Sequence, residues 1–253
     1  MKKYAVITGA SAGIGMEFAK ILAQKGYGLI LVARRKERLK ELAATLDTSC
    51  EIITADLGKE EACYDLIKHL QNKKIEIFIN NAGFGDCGVF VDTDLEKEMD
   101  MVQVNIKAVH ILTKLMLKKM QKEGEGYILN VASSAGLMPA GPFMSTYYAT
   151  KAYVTSLTRG VAEELRQKGS KVYVGCLCPG PVDTEFNGVA NVEFALKGIS
   201  AKYCAEYALK QMVKRKVVIV PTLQMKAAMT FGRFLPSHLY VRIAAHQQKK
   251  KMG

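Results

Sequence analysis

Short β-branched runs alternate along this chain with longer segments whose apolar residues recur at helical spacing. Strands read at Tyr4–Thr8, Gly28–Ala33, Glu51–Thr54, Glu76–Asn80, Gly126–Ser133, Lys171–Cys178 and Val217–Val220. Segments with one charged face, such as Arg35–Leu46 and Glu60–Gln71, fill the intervals and predict helices. Strand–helix alternation of this kind implies a parallel sheet covered on both faces. The near-continuous apolar run Gly28–Ala33 suits a strand buried on both sides. The expectation is an α/β fold: one doubly wound domain with about seven parallel strands, without internal repeats or a domain boundary.

Two segments depart from that rhythm. Leu95 to Gln121 predicts one long helix with apolar residues around much of its circumference, among them Met99, Val102, Ile106, Val109, Leu112, Leu115 and Met116. Such a helix must bury more than one face, against the sheet and its neighbours or against another subunit. Beyond Pro221 the pattern loosens into Met225, Met229, Phe231, Phe234, Leu235 and Tyr240, with Pro236 interrupting, and ends in three consecutive lysines. Residues 1–221 therefore read as the catalytic domain and 222–253 as a basic extension of it.

Charge sharpens this division. From Lys202 onward, eight lysines and three arginines face one acid, Glu206, so +10 of the +12 net charge lies in the last fifth of the 253-residue chain. A general basic surface for nucleic acid would not be so confined. The apolar residues of this segment fit packing over a pocket or within a homodimer or homotetramer, and less well a peripheral membrane contact. The six cysteines, Cys50, Cys63, Cys87, Cys176, Cys178 and Cys204, show neither C-x-x-C nor zinc spacing, so no metal is expected. The start MKKYAVITGAS lacks a signal-peptide pattern, which points to reduced thiols and a cytoplasmic protein. Cys87 follows a glycine-rich loop, and packing is the reading favoured over reactivity.

The first strand runs into Thr8-Gly9-Ala10-Ser11-Ala12-Gly13-Ile14-Gly15 and then a helix. Glycines let the backbone approach a pyrophosphate, and the helix N-terminus supplies free N–H groups, as in Rossmann-type domains. At the end of the second strand stands Val32-Ala33-Arg34-Arg35. NAD-specific sites place a carboxylate here for the ribose hydroxyls; Ala33 cannot serve, whereas Arg34 can clamp a 2′-phosphate, so NADP(H) is the expected cofactor. Tyr147 and Lys151 are four apart and share one helix face. A tyrosine hydroxyl ordinarily titrates near 10; a nearby ammonium and a positive nicotinamide are expected to favour the phenolate. Tyr148 points about 100° away around the helix.

The spacing T-G-x-x-x-G-x-G and the pair Tyr147-x-x-x-Lys151 resemble the short-chain dehydrogenase/reductase family. Further motifs fit it in order: Asp56-Leu57, Asn80-Asn81-Ala82-Gly83, Val104-Asn105-Ile106, Ser133-Ser134 and Cys178-Pro179-Gly180-Pro181-Val182-Asp183-Thr184. The resemblance covers about three-quarters of the chain. It implies catalytic roles for Asn105, Ser134, Tyr147 and Lys151. Ser134 is preferred over Ser133 because it stands thirteen positions before Tyr147. Asn105 would support a proton-relay water. The resemblance further implies cofactor contacts from Gly9, Ser11, Gly13, Ile14, Gly15, Asp56, Leu57, Asn81, Ala82, Gly83, Tyr147, Lys151, Pro179, Gly180, Val182 and Thr184, beside Arg34. The implied activity is NADP(H)-dependent interconversion of a ketone and a secondary alcohol. A non-catalytic NADP(H)-binding regulator is the competing class, although it would be expected to lack Tyr147 or Lys151. The segment Phe186–Tyr203, with Phe186, Val189, Val192, Phe194 and Leu196, suggests an apolar substrate such as a steroid, fatty acyl or other bulky ketone. The C-terminal half also loosely resembles the branch holding ketoacyl and hydroxysteroid reductases.

Overall fold

The computed structural model describes residues 3–190, 198–232 and 234–249. In chain order the elements are β1 (Tyr4–Thr8), α1 (Gly13–Gln24), β2 (Gly28–Ala33), α2 (Lys36–Ala44), β3 (Cys50–Thr54), α3 (Glu60–Leu70), β4 (Ile75–Asn80), α4 (Leu95–Val102), α5 (Val109–Glu123) and β5 (Gly126–Val131). There follow α6 (Ser145–Gln167), β6 (Val172–Leu177), β7 (Val182–Asp183), α7 (Phe186–Val189), β8 (Ile199–Ser200), α8 (Ala201–Val213), β9 (Val218–Ile219), α9 (Leu223–Gly232) and α10 (Ser237–Lys249).

Seven strands pair in the order β3-β2-β1-β4-β5-β6-β9, and every pairing is parallel. The expected architecture is therefore present. Each strand sends alternate side chains to opposite faces. Ala5, Ile7, Leu29 and Leu31 join α1 and α8 residues such as Phe18, Leu22 and Ala208 in one core. Val6, Ile30, Val32 and Phe78 join Leu66, Leu112 and Met116 from α3 and α5 in the other. All six residues of β2 are buried, as its continuous apolar run required.

The strand order reverses between β1 and β4, and crevices at such switch points are where doubly wound sheets bind ligands. Here Thr8 Oγ1 joins the two strand ends, accepting from the backbone N–H of Asn81 (2.9 Å) and of Ala82 (3.0 Å). Deeper in, Asn80 Nδ2 donates to Asn130 Oδ1 (2.9 Å) and Asn130 Nδ2 to Thr158 Oγ1 (3.0 Å), tying β4, β5 and α6 through buried amides. Losing one such partner leaves a buried polar group unpaired, at a cost of about 1–3 kcal/mol.

The helix expected over 95–121 is not uniform. A six-residue π-helical turn, Gln103–Ala108, separates α4 from α5 and carries Asn105. A π turn widens the ring of backbone bonds and re-aims side chains, often at functional sites. Leu95 and Met99 are exposed, and the buried residues of α5, Val109, Leu112, Thr113, Met116 and Met120, lie along one stripe, so the expected burial of more than one face is not met. A two-stranded parallel pair, β7–β8, was not anticipated. Past residue 221 the chain forms two helices with Pro236 between them.

Candidate active site

Gly15 is where the first turn tolerates no side chain: a Cβ would lie 2.3 Å from the Gly9 carbonyl oxygen. This packs the start of α1 against the end of β1. The α1 N-cap, Ala12, offers no capping side chain, which leaves the first backbone N–H groups of the helix to an anion. Ile14 and Gly15 lie in that first turn, Ser11 precedes it, and Thr184 faces Gly13 from the far side of the cleft. Asn81 Nδ2 donates to the carbonyls of Thr8 (3.0 Å) and Gly9 (3.2 Å), so the loop after β4 braces the glycine turn. These residues gather at the switch point, with the uncapped start of α1 able to offer N–H groups to a dinucleotide's phosphates.

The remaining cofactor candidates divide. Asp56 Oδ1 accepts from Gly58 N (3.1 Å) in a local turn; it is not the cap of α3, which is Lys59. Leu57 turns its side chain into the core, so only its backbone can face a ligand. Pro179 O accepts from Ser134 N (2.8 Å), Val182 pairs with Ile199, and Gly180 lies against Met225 of α9. Arg34 is exposed just beyond β2. The sequence reading missed its neighbours. Arg35 donates from Nε and Nη2 to Ser11 Oγ at 3.4 and 3.3 Å, and Arg35 and Arg38 both pair with Glu185.

At the other end of the cleft, α6 presents Tyr147 and Lys151 on one buried face. Lys151 Nζ lies 5.8 Å from the Tyr147 ring centroid and donates to the Val131 carbonyl (3.0 Å). Burial pushes Lys151 down to about 8. It also pushes the Tyr147 hydroxyl up to about 12, against the opposing pull of a hydrogen bond with Ser133. Burial dominates this shift, opposite in direction to the phenolate-favouring effect expected of the ammonium and a positive nicotinamide together.

The sequence favours Ser134, but the neighbouring Ser133 is the serine whose side chain acts on the Tyr147 hydroxyl, drawing its titration down against burial. Ser133 is still in extended conformation after β5, and its Oγ also accepts from Ala135 N (3.1 Å). Ser134 already belongs to a 3-10 turn, Ser134–Leu137, and its backbone N–H donates to Pro179 O.

Asn105 is fully buried. Its Oδ1 accepts from Phe84 N (3.1 Å), and its Nδ2 donates to Phe84 O (2.8 Å) and Thr150 Oγ1 (3.1 Å). The amide therefore pins the loop after β4 to α6. Gly83 leaves room beside it: a Cβ there would lie 2.8 Å from Asn105 Oδ1 and 3.2 Å from Lys151 Nζ. Tyr148 sits edge-on to Tyr147 with ring centroids 6.3 Å apart, and its hydroxyl accepts from Gln248 Nε2 of α10. The C-terminal extension thus returns to the tyrosine pair through Gln248.

Around the two tyrosines lie Phe84, Cys87, Met101, Met138, Met144 and Phe186, an apolar wall in which Cys87 packs half-buried. The Phe186 ring centroid is 5.6 Å from that of Tyr147. Of the other apolar residues expected over the site, Val192, Phe194 and Leu196 lie outside the described residues, and Val189 closes α7. Among the described residues no group of side chains could hold a metal ion, and no helix is long and apolar enough to cross a membrane.

A glycine turn at the switch point, an uncapped helix N-terminus and a buried Tyr–Lys pair define the class of dinucleotide-binding α/β proteins. The sequence matches the family model described as short chain dehydrogenase over residues 3–193, and the chain belongs to the short-chain dehydrogenase/reductase family. It is 35% identical over 200 residues to a very-long-chain 3-oxoacyl-CoA reductase of Anas platyrhynchos; the match covers 76% of this chain and 63% of that protein. It is 35% identical over 185 residues to an uncharacterised oxidoreductase of Staphylococcus epidermidis, covering 72% of this chain and 79% of the other. A short-chain dehydrogenase from Sphingobium yanoikuyae, solved in complex with NADPH, superimposes with a TM-score of 0.81 at 30% identity, covering 93% of this chain and 97% of that one.

Proposed function

We propose that this protein is an NADP(H)-dependent oxidoreductase that interconverts a bulky apolar ketone and its secondary alcohol. The observation that carries the reaction class is the buried constellation of Tyr147, Ser133 and Lys151 at the other end of the cleft from the glycine turn. The cofactor supplies or accepts the hydride. The protein supplies geometry and protons. In the reductive direction the substrate oxygen lies between Ser133 Oγ and Tyr147 Oη, and the tyrosine hydroxyl, kept protonated by burial, donates its proton as the alkoxide forms. The Lys151 ammonium stabilises the phenolate left behind. Return of the proton is assigned to Lys151 and to a relay water supported by Asn105.

Phosphorylated cofactor is supported by the missing carboxylate at Ala33 and by the exposed arginines that follow it. The apolar wall around Tyr147 supports a steroid, fatty acyl or comparable ketone, consistent with the name of the duck relative. Exposed Phe90, Val91 and Leu95 support assembly into a homodimer or homotetramer. The test follows NADPH oxidation with a panel of bulky ketones, sugars and dicarboxylates. Tyr147→Phe should abolish turnover, by about three orders of magnitude, while NADPH still binds; Tyr148→Phe should keep appreciable activity. The reversed outcome would reject the assignment.

A further inference from the structure

At the adenosine end of the cleft, an anion is already in place. The Glu185 carboxylate pairs through Oε2 with Arg35 Nη1 (3.0 Å) and through Oε1 with Arg38 Nη1. The same Arg35 guanidinium donates to Ser11 in the glycine turn. The pairs join residues 150 and 147 positions apart, so Glu185, at the start of α7 just after β7, ties that segment to the start of α2. The two guanidinium groups hold its carboxyl below the usual carboxylate range. Ser11 and the residues after β2 flank the place where a doubly wound fold holds the adenosine ribose.

We infer that Glu185 is an internal stand-in for the cofactor's 2′-phosphate, occupying a subsite made by Arg35, Arg38 and Ser11, from which the phosphate must displace it. The inference rests on the NADP(H) reading above. The exchange is favourable because the resident pairs are half-exposed, side-chain accessibilities being 45–50%, and such surface pairs contribute little. A phosphate brings two charges and three acceptor oxygens to the same forks. A cofactor lacking that phosphate leaves Glu185 where it is. The adjacent residue is Phe186, whose ring lies on Tyr147.

The test is calorimetric titration of the full chain with 2′,5′-ADP, and with ADP as the probe lacking the 2′-phosphate, for wild type, Glu185→Gln and Arg35→Gln/Arg38→Gln. Glu185→Gln should bind 2′,5′-ADP about tenfold more tightly, as expected when a competing charge is removed, and ADP within about twofold of wild type. The double arginine variant should bind 2′,5′-ADP at least about tenfold more weakly. Unchanged or weaker binding of 2′,5′-ADP to Glu185→Gln, or equal tightening of ADP, would overturn the proposal. A parallel fluorescence titration of wild type with NADPH and NADH separates the two levels: tighter NADH binding would overturn the cofactor reading itself, whatever Glu185 does.

Discussion

The two ends of the cleft are built on opposite physical terms. At the catalytic end, Asn105, Ser133, Tyr147 and Lys151 are buried, and strand ends and helix faces fix their positions. At the adenosine end, Arg35, Arg38 and Glu185 are half-exposed, lie on loops or a helix start, and meet only through long flexible side chains. Burial raises the cost of every misplaced polar atom, so the catalytic geometry is over-determined. Exposure leaves the adenosine end cheap to alter. Under the proposed function, chemistry is held rigidly at one end, and cofactor choice is tunable at the other.

The largest effect that could break this comparison concerns the two serines. If the catalytic end is fixed by backbone geometry, Ser133→Ala should lower kcat by about two orders of magnitude, the usual consequence of losing one donor to a developing oxyanion. Ser134→Ala should leave kcat close to wild type, since its backbone N–H, not its hydroxyl, is what reaches Pro179. Steady-state kinetics with one ketone decides between them. Equal losses would show that the two hydroxyls share the substrate oxygen.

Those serines also mark where the sequence ceased to be legible. The alternation of strands and helices, the glycine turn and the Tyr147–Lys151 pair were readable because each depends on local spacing along one element. The count of thirteen from Tyr147 back to a serine crosses a 3-10 turn and a loop, so spacing alone does not say which of the two neighbouring hydroxyls meets Tyr147. The π turn at Asn105 left no mark in the hydrophobic pattern, because widening one turn changes no residue type. Arg35 stood beside Arg34 with no role of its own; its partner Glu185 lies on another element, and spacing cannot report such a contact. Gln248, in a segment that read as basic and irregular, reaches Tyr148 only because α10 folds back.

At the adenosine end the expected effect is smaller and falls on specificity alone. Ala33→Asp with Arg34→Gln places a carboxylate where the ribose hydroxyls would lie and removes one cation. The ratio of kcat/KM for NADPH to that for NADH should fall by about 30-fold, the scale of one charge-assisted hydrogen bond worth about 2 kcal/mol. Activity with NADH should persist, because the catalytic end is untouched. An unchanged ratio would remove Arg34 from the subsite and leave Arg35 and Arg38 as its cations.

The smallest effect separates the two ends by pH. Lys151 is held down at about 8 by burial, so it carries its proton below that pH and loses it above. The phenolate that forms on Tyr147 during reduction then loses its stabilising charge. Reductive kcat/KM should therefore decline above about pH 8, by about tenfold near pH 9, as protonated Lys151 is depleted. Guanidinium groups do not titrate in this range, so NADPH affinity at the adenosine end should stay level across the same interval. For the same reason, residual activity in Lys151→Arg should lack the descending limb. The profile needs kcat/KM and a fluorescence-determined Kd for NADPH at each pH, with ionic strength held constant to keep the arginine–phosphate attraction fixed. A Kd that rose in step with the loss of turnover would place the titrating group in cofactor binding, and the separation of chemistry from cofactor choice would fail.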